Sequence, residues 1–356
     1  MYKIIDVKNK IWKQIIELYQ LDIYFYPEYL KIWEDYGDGE VQAFLYESEL
    51  GKVFYTYLIR EIPFDNKNEN YYDITTPYGY GGPLILDCKT NNKFLLLAEF
   101  RNAFNQYAKE EGIISEFIRF HPLIKNHVLF VDQDIECEFN RNTVFIDLDN
   151  SRDADKALLM NMKPQTRNQV RQTLKNGINI IFKTEPSLED IKNFISLYKL
   201  TMGRLNAPEY YFFSLEYFLN CFTLLKNNIE LAFVKMEDQI ISASIFLFSK
   251  KMAHYHLSGY LSEYNKYRPN NFLLYSAGLR YGEMGKKYFH LGGGYRGNDS
   301  LYSFKKGFNK NGILDFYIGK KIHNIEIYNL IVEKWKIENN LDSSFTSDYF
   351  PLYRYR

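Results

Sequence analysis

The stretch YFHLGGGYRGNDSLYSFKKGFNKNG, Tyr288 to Gly312, places six glycines among 25 residues around an FKKGF core. Each glycine costs backbone entropy on folding, so a cluster of them marks a place where only glycine serves. The stretch reads as a strand end, a glycine loop and a helix start near Asn298 to Ser300, and the exposed amides of such a turn suit an anion. Arg296, Lys305 and Lys306 would add positive charge beside it. Two readings stay open: the amides hold a ligand, or the glycines serve a tight strand-to-helix turn. If the first holds, Gly293→Ala is expected to damage activity far more than stability.

The same residues exclude two nucleotide motifs. Gly292, Gly294 and Gly297 match G-x-G-x-x-G, but a dinucleotide site continues through a crossover with an acidic residue about 20 positions on. Here ILDFYIGKKI follows almost at once. A phosphate-binding Gly-Lys-Ser/Thr ending is absent too, because Phe308 follows Gly307.

Upstream, ELAFVKM and QIISASIFLFS bracket a short turn and lead to the strand MAHYHLSG. A helix from about Asn271 to Met284 and the strand KYFHL come next. The first half repeats this order: VQAFLYES and KVFYTYLIREI, the loop TTPYGYGGPL, a helix from about Asn92 to Glu111, and the strand ISEFIRF. Each helix stops at a glycine, Gly112 or Gly285. A duplicated β-β-α-β unit is the simplest account. Between the halves, MNMKPQTRNQVRQTLKNGI carries Pro164 for a first helical turn and Gly177 for its end. Lys163, Arg167, Arg171 and Lys175 fall four apart, which on a helix gives one basic stripe. It reads as a solvated face or as a grip on phosphates. A further helix runs from Leu188 to about Leu205, and IHNIEIYNLIVEKWKIEN closes the chain as an amphipathic helix.

Bulk composition bounds the class. A chain of 356 residues suggests two domains, each of about 150 to 180 residues. The boundaries are placed at 1–150 and 151–315, with 316–356 packing back on the first domain. Forty-four basic residues balance 44 acidic ones, which argues against a general nucleic-acid coat but leaves room for a local patch. Three scattered cysteines, Cys88, Cys137 and Cys221, give neither a disulfide framework nor a zinc knuckle and favour a reducing compartment. The opening MYKIIDVKNKIWKQII lacks the apolar core of a signal peptide. No apolar run reaches the roughly 18 residues of a membrane span. The expected location is cytoplasmic.

His254 and His256 alternate along a strand, so they share one face with Tyr255 on the other. Two histidines need a third metal ligand and the sequence nominates none, so no metal is assigned. His290, two residues before the glycines, would relay a proton or complete a hydrogen-bond network. Asn270 and Asn271 follow Pro269 at a helix start, where asparagine caps free amides.

Taken together, TTPYGYGGPL, EFIRFHPL, TRNQVRQTLKNGI, YKLTMGRLNA and HLGGGYRGNDSLYSFKKGF resemble the FemAB-like branch of the GNAT acyltransferase superfamily, over about Tyr72 to Gly312. The resemblance implies an α+β or α/β architecture of two tandem GNAT-like domains, each a twisted mixed β-sheet flanked by helices. It implies transfer of an aminoacyl or acyl group to a primary amine, often of a cell-envelope or sugar-type precursor. The donor would be aminoacyl-tRNA or acyl-CoA, with no bound cofactor, and peripheral association with a membrane-bound precursor is compatible with it. One departure stands out. The Gln/Arg-x-x-Gly-x-Gly/Ala loop of CoA-using GNAT enzymes is missing before the second-half helix, where NKYRPNNF stands instead.

Such chemistry needs a neutral amine, an activated ester or thioester within reach, and dipoles for the oxyanion. Lys305, Tyr255 and His290 are the catalytic candidates, Lys305 as charge stabiliser and a tyrosine as proton donor to the leaving group. Donor-binding candidates are Gly292, Gly293, Gly294, Arg296, Ser300, Lys306, Asn270, Asn271, Arg167, Arg171 and Lys175. Acceptor-binding candidates are Tyr78, Tyr80, Arg119, His256 and Arg204. The alternatives are a CoA-dependent N-acetyltransferase of an amino sugar or small amine, and a non-catalytic binding module with a decayed site.

Overall fold

A computed structural model describes residues 1–64, 70–89, 92–130, 134–148, 154–295 and 297–355. The strands are β1 (Tyr2–Ile5), β2 (Glu40–Ser48), β3 (Gly51–Ile62), β4 (Tyr71–Thr75), β5 (Leu84–Cys88), β6 (Ile113–Arg119) and β7 (Glu136–Asp147). They continue as β8 (Ile178–Lys183), β9 (Ile229–Met236), β10 (Gln239–Phe248), β11 (Met252–Tyr260), β12 (Tyr288–Gly293) and β13 (Ile313–Ile322). The helices are α1 (Lys10–Tyr19), α2 (Pro27–Asp35), α3 (Lys93–Glu110), α4 (Ala154–Asn161), α5 (Pro164–Thr173), α6 (Leu188–Arg204), α7 (Leu215–Leu224), α8 (Pro269–Glu283), α9 (Ser300–Lys306) and α10 (Ile325–Glu338).

The chain divides into two compact units. The first comprises Met1–Ile15, Trp33–Asn140 and Phe316–Arg356; the second comprises Ile16–Ile32 and Arg141–Asp315. Neither is one continuous stretch. The segment 16–32 counts with the second unit and not with an N-terminal domain of 1–150, and the tail from Phe316 counts with the first.

In the first unit the strand order is β1-β2-β3-β4-β6-β13, with β5 on β3. Pairing is antiparallel except between β4 and β6, which are joined by α3. Leu97, Phe100, Phe104, Tyr107 and Ala108 recur at three- and four-residue spacing along α3 and bury one face of it against Phe44, Tyr55, Tyr57 and Ile118. Gly112 follows the helix in the left-handed conformation, φ +68°, the ending expected of it.

The second unit repeats the plan. Its order is β8-β9-β10-β11-β12-β7, antiparallel except for the parallel pair β11 and β12, joined by α8. Gly285 ends α8 at φ +72°. Buried Phe272, Leu273, Tyr275, Ala277 and Tyr281 of α8 meet Phe246, Ala253 and Phe289 of the sheet. Helix α6 lies so close to β11 that a Cβ on Gly259 would stand 2.4 Å from the backbone of Leu197. That position is therefore closed to any other residue.

The connector differs from its sequence reading in one respect. Pro164 does sit in the first turn of α5, but α4 precedes it and α5 ends at Thr173. Lys163 stands at the extended N-cap position and Lys175 falls in the following turn, so the basic stripe keeps only Arg167 and Arg171 on the helix. Arg171 and Lys175 are exposed, and Arg167 is half-buried.

Candidate active site

In the second unit, β11 and β12 pair over only three rungs, Met252 with Tyr288, Ala253 with Phe289 and His254 with His290. Beyond His290, β12 stays with β7 through Gly293, while β11 runs on to Tyr260 beside β10 alone. A gap opens between two parallel strands at their carboxyl ends, the side of an open sheet where ligands bind. A β-bulge helps to open it. Ile245 faces Leu257 and Phe246 faces Tyr255, so His256 is the extra residue, and a bulge of this kind bends its strand. The bulge also breaks the simple alternation expected of His254 and His256. The far end of the gap is closed by α6: Thr201 Oγ1 accepts from the Tyr260 amide at 3.0 Å, and Arg204 donates to the Tyr260 carbonyl at 2.8 Å. Arg204, expected among acceptor ligands, is committed to this closure and stacks 4.4 Å from the Tyr260 ring centroid. Ser258, two residues earlier, presents its backbone to the same open edge.

Lys305 stands at this gap. It is 7% exposed, its Nζ donates to the Gly293 carbonyl at 2.7 Å, and the ring of Tyr255 lies 5.5 Å away. Burial lowers its pKa to about 7, the nearby Asp299 charge pulling it up and Arg141 pushing it down. Burial also raises the pKa of Tyr255. A Cβ on Gly292, φ +73°, would meet only the Lys305 Nζ within 4 Å, at 3.4 Å, so the glycine leaves open space beside the amine.

The other glycines have a different cause. A Cβ on Gly293 would stand 2.7 Å from the Asn142 carbonyl oxygen, and one on Gly294 would stand 2.2 Å from Asp299 Oδ1. At both glycines the chain's own atoms fill the space that a side chain would need. Asp299 caps α9 by accepting from the Tyr302 amide at 2.9 Å and also accepts from the Tyr295 amide at 2.7 Å. Arg141 donates to the carbonyls of Gly294 and Tyr295, both at 3.0 Å. The loop expected to cradle an anion thus holds a carboxylate of its own, which would repel a phosphate. Gly293→Ala should accordingly lower stability, by about 1–3 kcal/mol as for other overpacking changes, read as a fall in the urea midpoint. This runs against the expectation that activity suffers far more than stability.

The remaining candidates fall as follows. Ser300 is exposed at the start of α9, and Lys306 is half-buried with its Nζ 5.7 Å from the Tyr302 ring centroid. Arg296 lies outside the described residues. Asn270 and Asn271 do not cap α8. Arg268 occupies the cap position at φ 55° without a side-chain bond, while Asn270 accepts from Ser242 Oγ at 2.7 Å and Asn271 donates to Gln169 Oε1 at 3.2 Å. His256 is half-buried, and burial with the neighbouring His254 pushes its pKa down to about 3. His290 is buried on the last rung, its ring 5.6 Å from that of His254. His254 Nε2 in turn lies 2.8 Å from Asp22 Oδ2, and Asp22 Oδ1 accepts from Ser249 Oγ at 2.7 Å. Asp22 and Ser249 were missed in the sequence. The one available signal was an acidic residue inside the apolar run LDIYFY, where an unpaired charge would be too costly to bury.

Tyr78, Tyr80 and Arg119 belong to the first unit. Tyr78 packs 5.3 Å from the Trp33 ring, and Tyr80 lies 5.6 Å from His121 and 5.2 Å from Phe316. Arg119 helps to fill the place that matches the gap of the second unit. Past Thr75, the Thr76 amide donates to the Phe117 carbonyl and the Gly81 amide to the Arg119 carbonyl. The Arg119 guanidinium donates to Thr75 Oγ1 and to the Thr76 carbonyl. The loop TTPYGYGG zips the first parallel pair shut, so the open version occurs in the second unit.

Residues 161–306 match the family model for the acetyltransferase (GNAT) domain, a span inside the second unit. No curated protein sequence matches the chain. Among solved structures, FemX is similar over 92% of this chain and 99% of its own, with a TM-score of 0.70 at 15% identity. A conserved protein of unknown function from Bacteroides thetaiotaomicron is similar over 90% of this chain and 99% of its own, with a TM-score of 0.55 at 11% identity. No helix among the described residues is long and apolar enough to cross a membrane. Residues 161–306 are thus similar to a GNAT acetyltransferase domain, and the chain shares the fold of FemX.

Proposed function

We propose that the protein is an N-acyltransferase that moves an aminoacyl or acyl group from an activated carrier to a primary amine of a cell-envelope or sugar-type precursor. The observation that carries this reading is the parting of β11 and β12 after His254 and His290, with the Lys305 amine at its mouth. An extended carrier arm laid in the gap would pair with the strand edge that β12 leaves, as a peptide pairs with an open sheet edge. The acyl carbonyl would then lie near the bulge at His256. A neutral amine attacks it, and negative charge builds on the carbonyl oxygen. Protonated Lys305 stabilises that charge, and Tyr255 beside it suits proton delivery to the departing carrier. The first turn of α8, without a side-chain cap and with Arg268 at its entrance, would take a carrier phosphate.

A charged tRNA is favoured over CoA by the missing glycine loop before α8 and by the exposed Arg171 and Lys175. Neutralising Arg167, Arg171 and Lys175 together should weaken donor binding and flatten its salt dependence, because fewer counterions are released. Unchanged salt dependence would leave these residues as a solvated face. The function itself is tested by offering acetyl-CoA and charged tRNAs in turn, with amine acceptors. Transfer from one of them to an amine supports the reading. Binding of neither, with no transfer, would return the chain to the non-catalytic alternative.

A further inference from the structure

We propose that Lys305 is itself an acyl acceptor, so that in the absence of an amine substrate the protein acylates its own Lys305 side chain. The inference rests on the reading that an activated acyl group is delivered to the β11/β12 gap. Its grounds are the placement of one amine. The Lys305 Nζ is withdrawn from solvent yet borders open space, because position 292 has no side chain. One N–H is held by the Gly293 carbonyl, which fixes the nitrogen in place. The groups facing it are Asp299, Arg141 and the Tyr255 ring. With its pKa near 7, half of the amine is neutral and nucleophilic at neutral pH. Lys306, the next residue, lies half-buried over Tyr302 and lacks this enclosure.

The step is a simple acyl transfer. The neutral Nζ attacks the acyl carbonyl carbon, a C–N bond forms, and the C–S bond of a thioester or the C–O bond of an aminoacyl ester breaks. The nitrogen loses one proton, which the departing thiolate or alkoxide takes up. Nothing is oxidised or reduced. The product is an uncharged amide, so the modified protein loses the cation assigned above to charge stabilisation, and turnover stops while donor accumulates without acceptor.

The test uses the full chain, intact-mass measurement and peptide mapping, in two arms without amine acceptor. One arm supplies S-acetyl-N-acetylcysteamine, a small thioester that needs no carrier seat; the other supplies acetyl-CoA or charged tRNA. A single acyl group on Lys305, formed ahead of Lys306 and absent from Lys305→Arg, is the expected result. The rate should rise about tenfold from pH 6 to pH 8, following the neutral fraction of an amine with a pKa near 7. Acylation spread over surface lysines, with Lys305 unmodified in both arms, overturns the inference. If carriers then still transfer to added amines, the acyltransferase reading survives alone. If the small thioester labels Lys305 while no carrier serves any amine, the donor reading falls and the reactive lysine stands.

Discussion

Replacing Lys305 with alanine should lower turnover by about 10²-fold or more, the usual cost of losing one preorganised charge stabiliser. The expectation follows from position, since its Nζ reaches the Gly293 carbonyl at the mouth of the gap. Donor affinity should change far less, because the charge acts when the oxyanion forms. The wild-type rate should carry a pH signature as well. Lys305 must be protonated for this role, and with a pKa near 7 its cation is lost as pH rises through that value. The rate attributable to it should fall over the same range in which self-acylation increases. Single-turnover rates of wild type and variant across pH 6 to 9 would check both points. A variant with near-wild-type turnover and an unchanged profile would remove Lys305 from the chemistry.

The second large effect concerns stability. In the first unit Arg101, 2% exposed, donates from both terminal nitrogens to Glu116, at 3.1 and 2.9 Å, and from Nε to Asp134 at 2.8 Å. His323 Nε2 lies 3.1 Å from Glu116, and Asn105 donates to Asp134 at 2.6 Å. Arg101→Met would leave Glu116 buried without its bidentate partner, a change that typically costs about 3–5 kcal/mol. Burial raises the Glu116 pKa, but the Arg101 charge and His323 outweigh it and bring it down to about 2. A carboxylate held below its unfolded value, near 4.5, stabilises the fold above that pH and loses the contribution as pH falls towards 2. Urea unfolding should show a steep loss between pH 4.5 and 2, and Glu116→Gln should remove much of that slope. An Arg101→Met protein as stable as wild type would show that the cluster can be replaced by apolar packing.

Much of the framework could be read directly. The hairpins, the helices α3 and α8 and their terminal glycines Gly112 and Gly285 are local signals, and the repeat emerges when they are set side by side. The carriers of the site were less accessible. Lys305 is legible because it follows the glycine loop, whereas the crowding at Gly293 and Gly294 comes from Asn142 and Asp299, which meet them only once the chain has turned back. The bulge at His256 depends on register with β10, and register is set by pairing that no single strand encodes. Asp22 with His254 joins residues far apart in sequence, and Arg101 with Glu116 joins a helix to the strand that follows it. Only their charge in an apolar setting announced that each needed a partner. Arg204 and Arg119 looked like ligand-binding cations for the same reason that makes them good structural ones, since a guanidinium can hold several carbonyls at once.

The central claim is that donor enters the gap between β11 and β12, and hydrogen exchange measured with and without donor tests it most directly. With acetyl-CoA or a charged tRNA bound, amides over 255–260 and 291–294 should exchange more slowly, and those over 75–82, where the first unit is already zipped shut, should not change. Protection confined to 75–82, or none in 255–260 while transfer to an amine proceeds, would contradict the account.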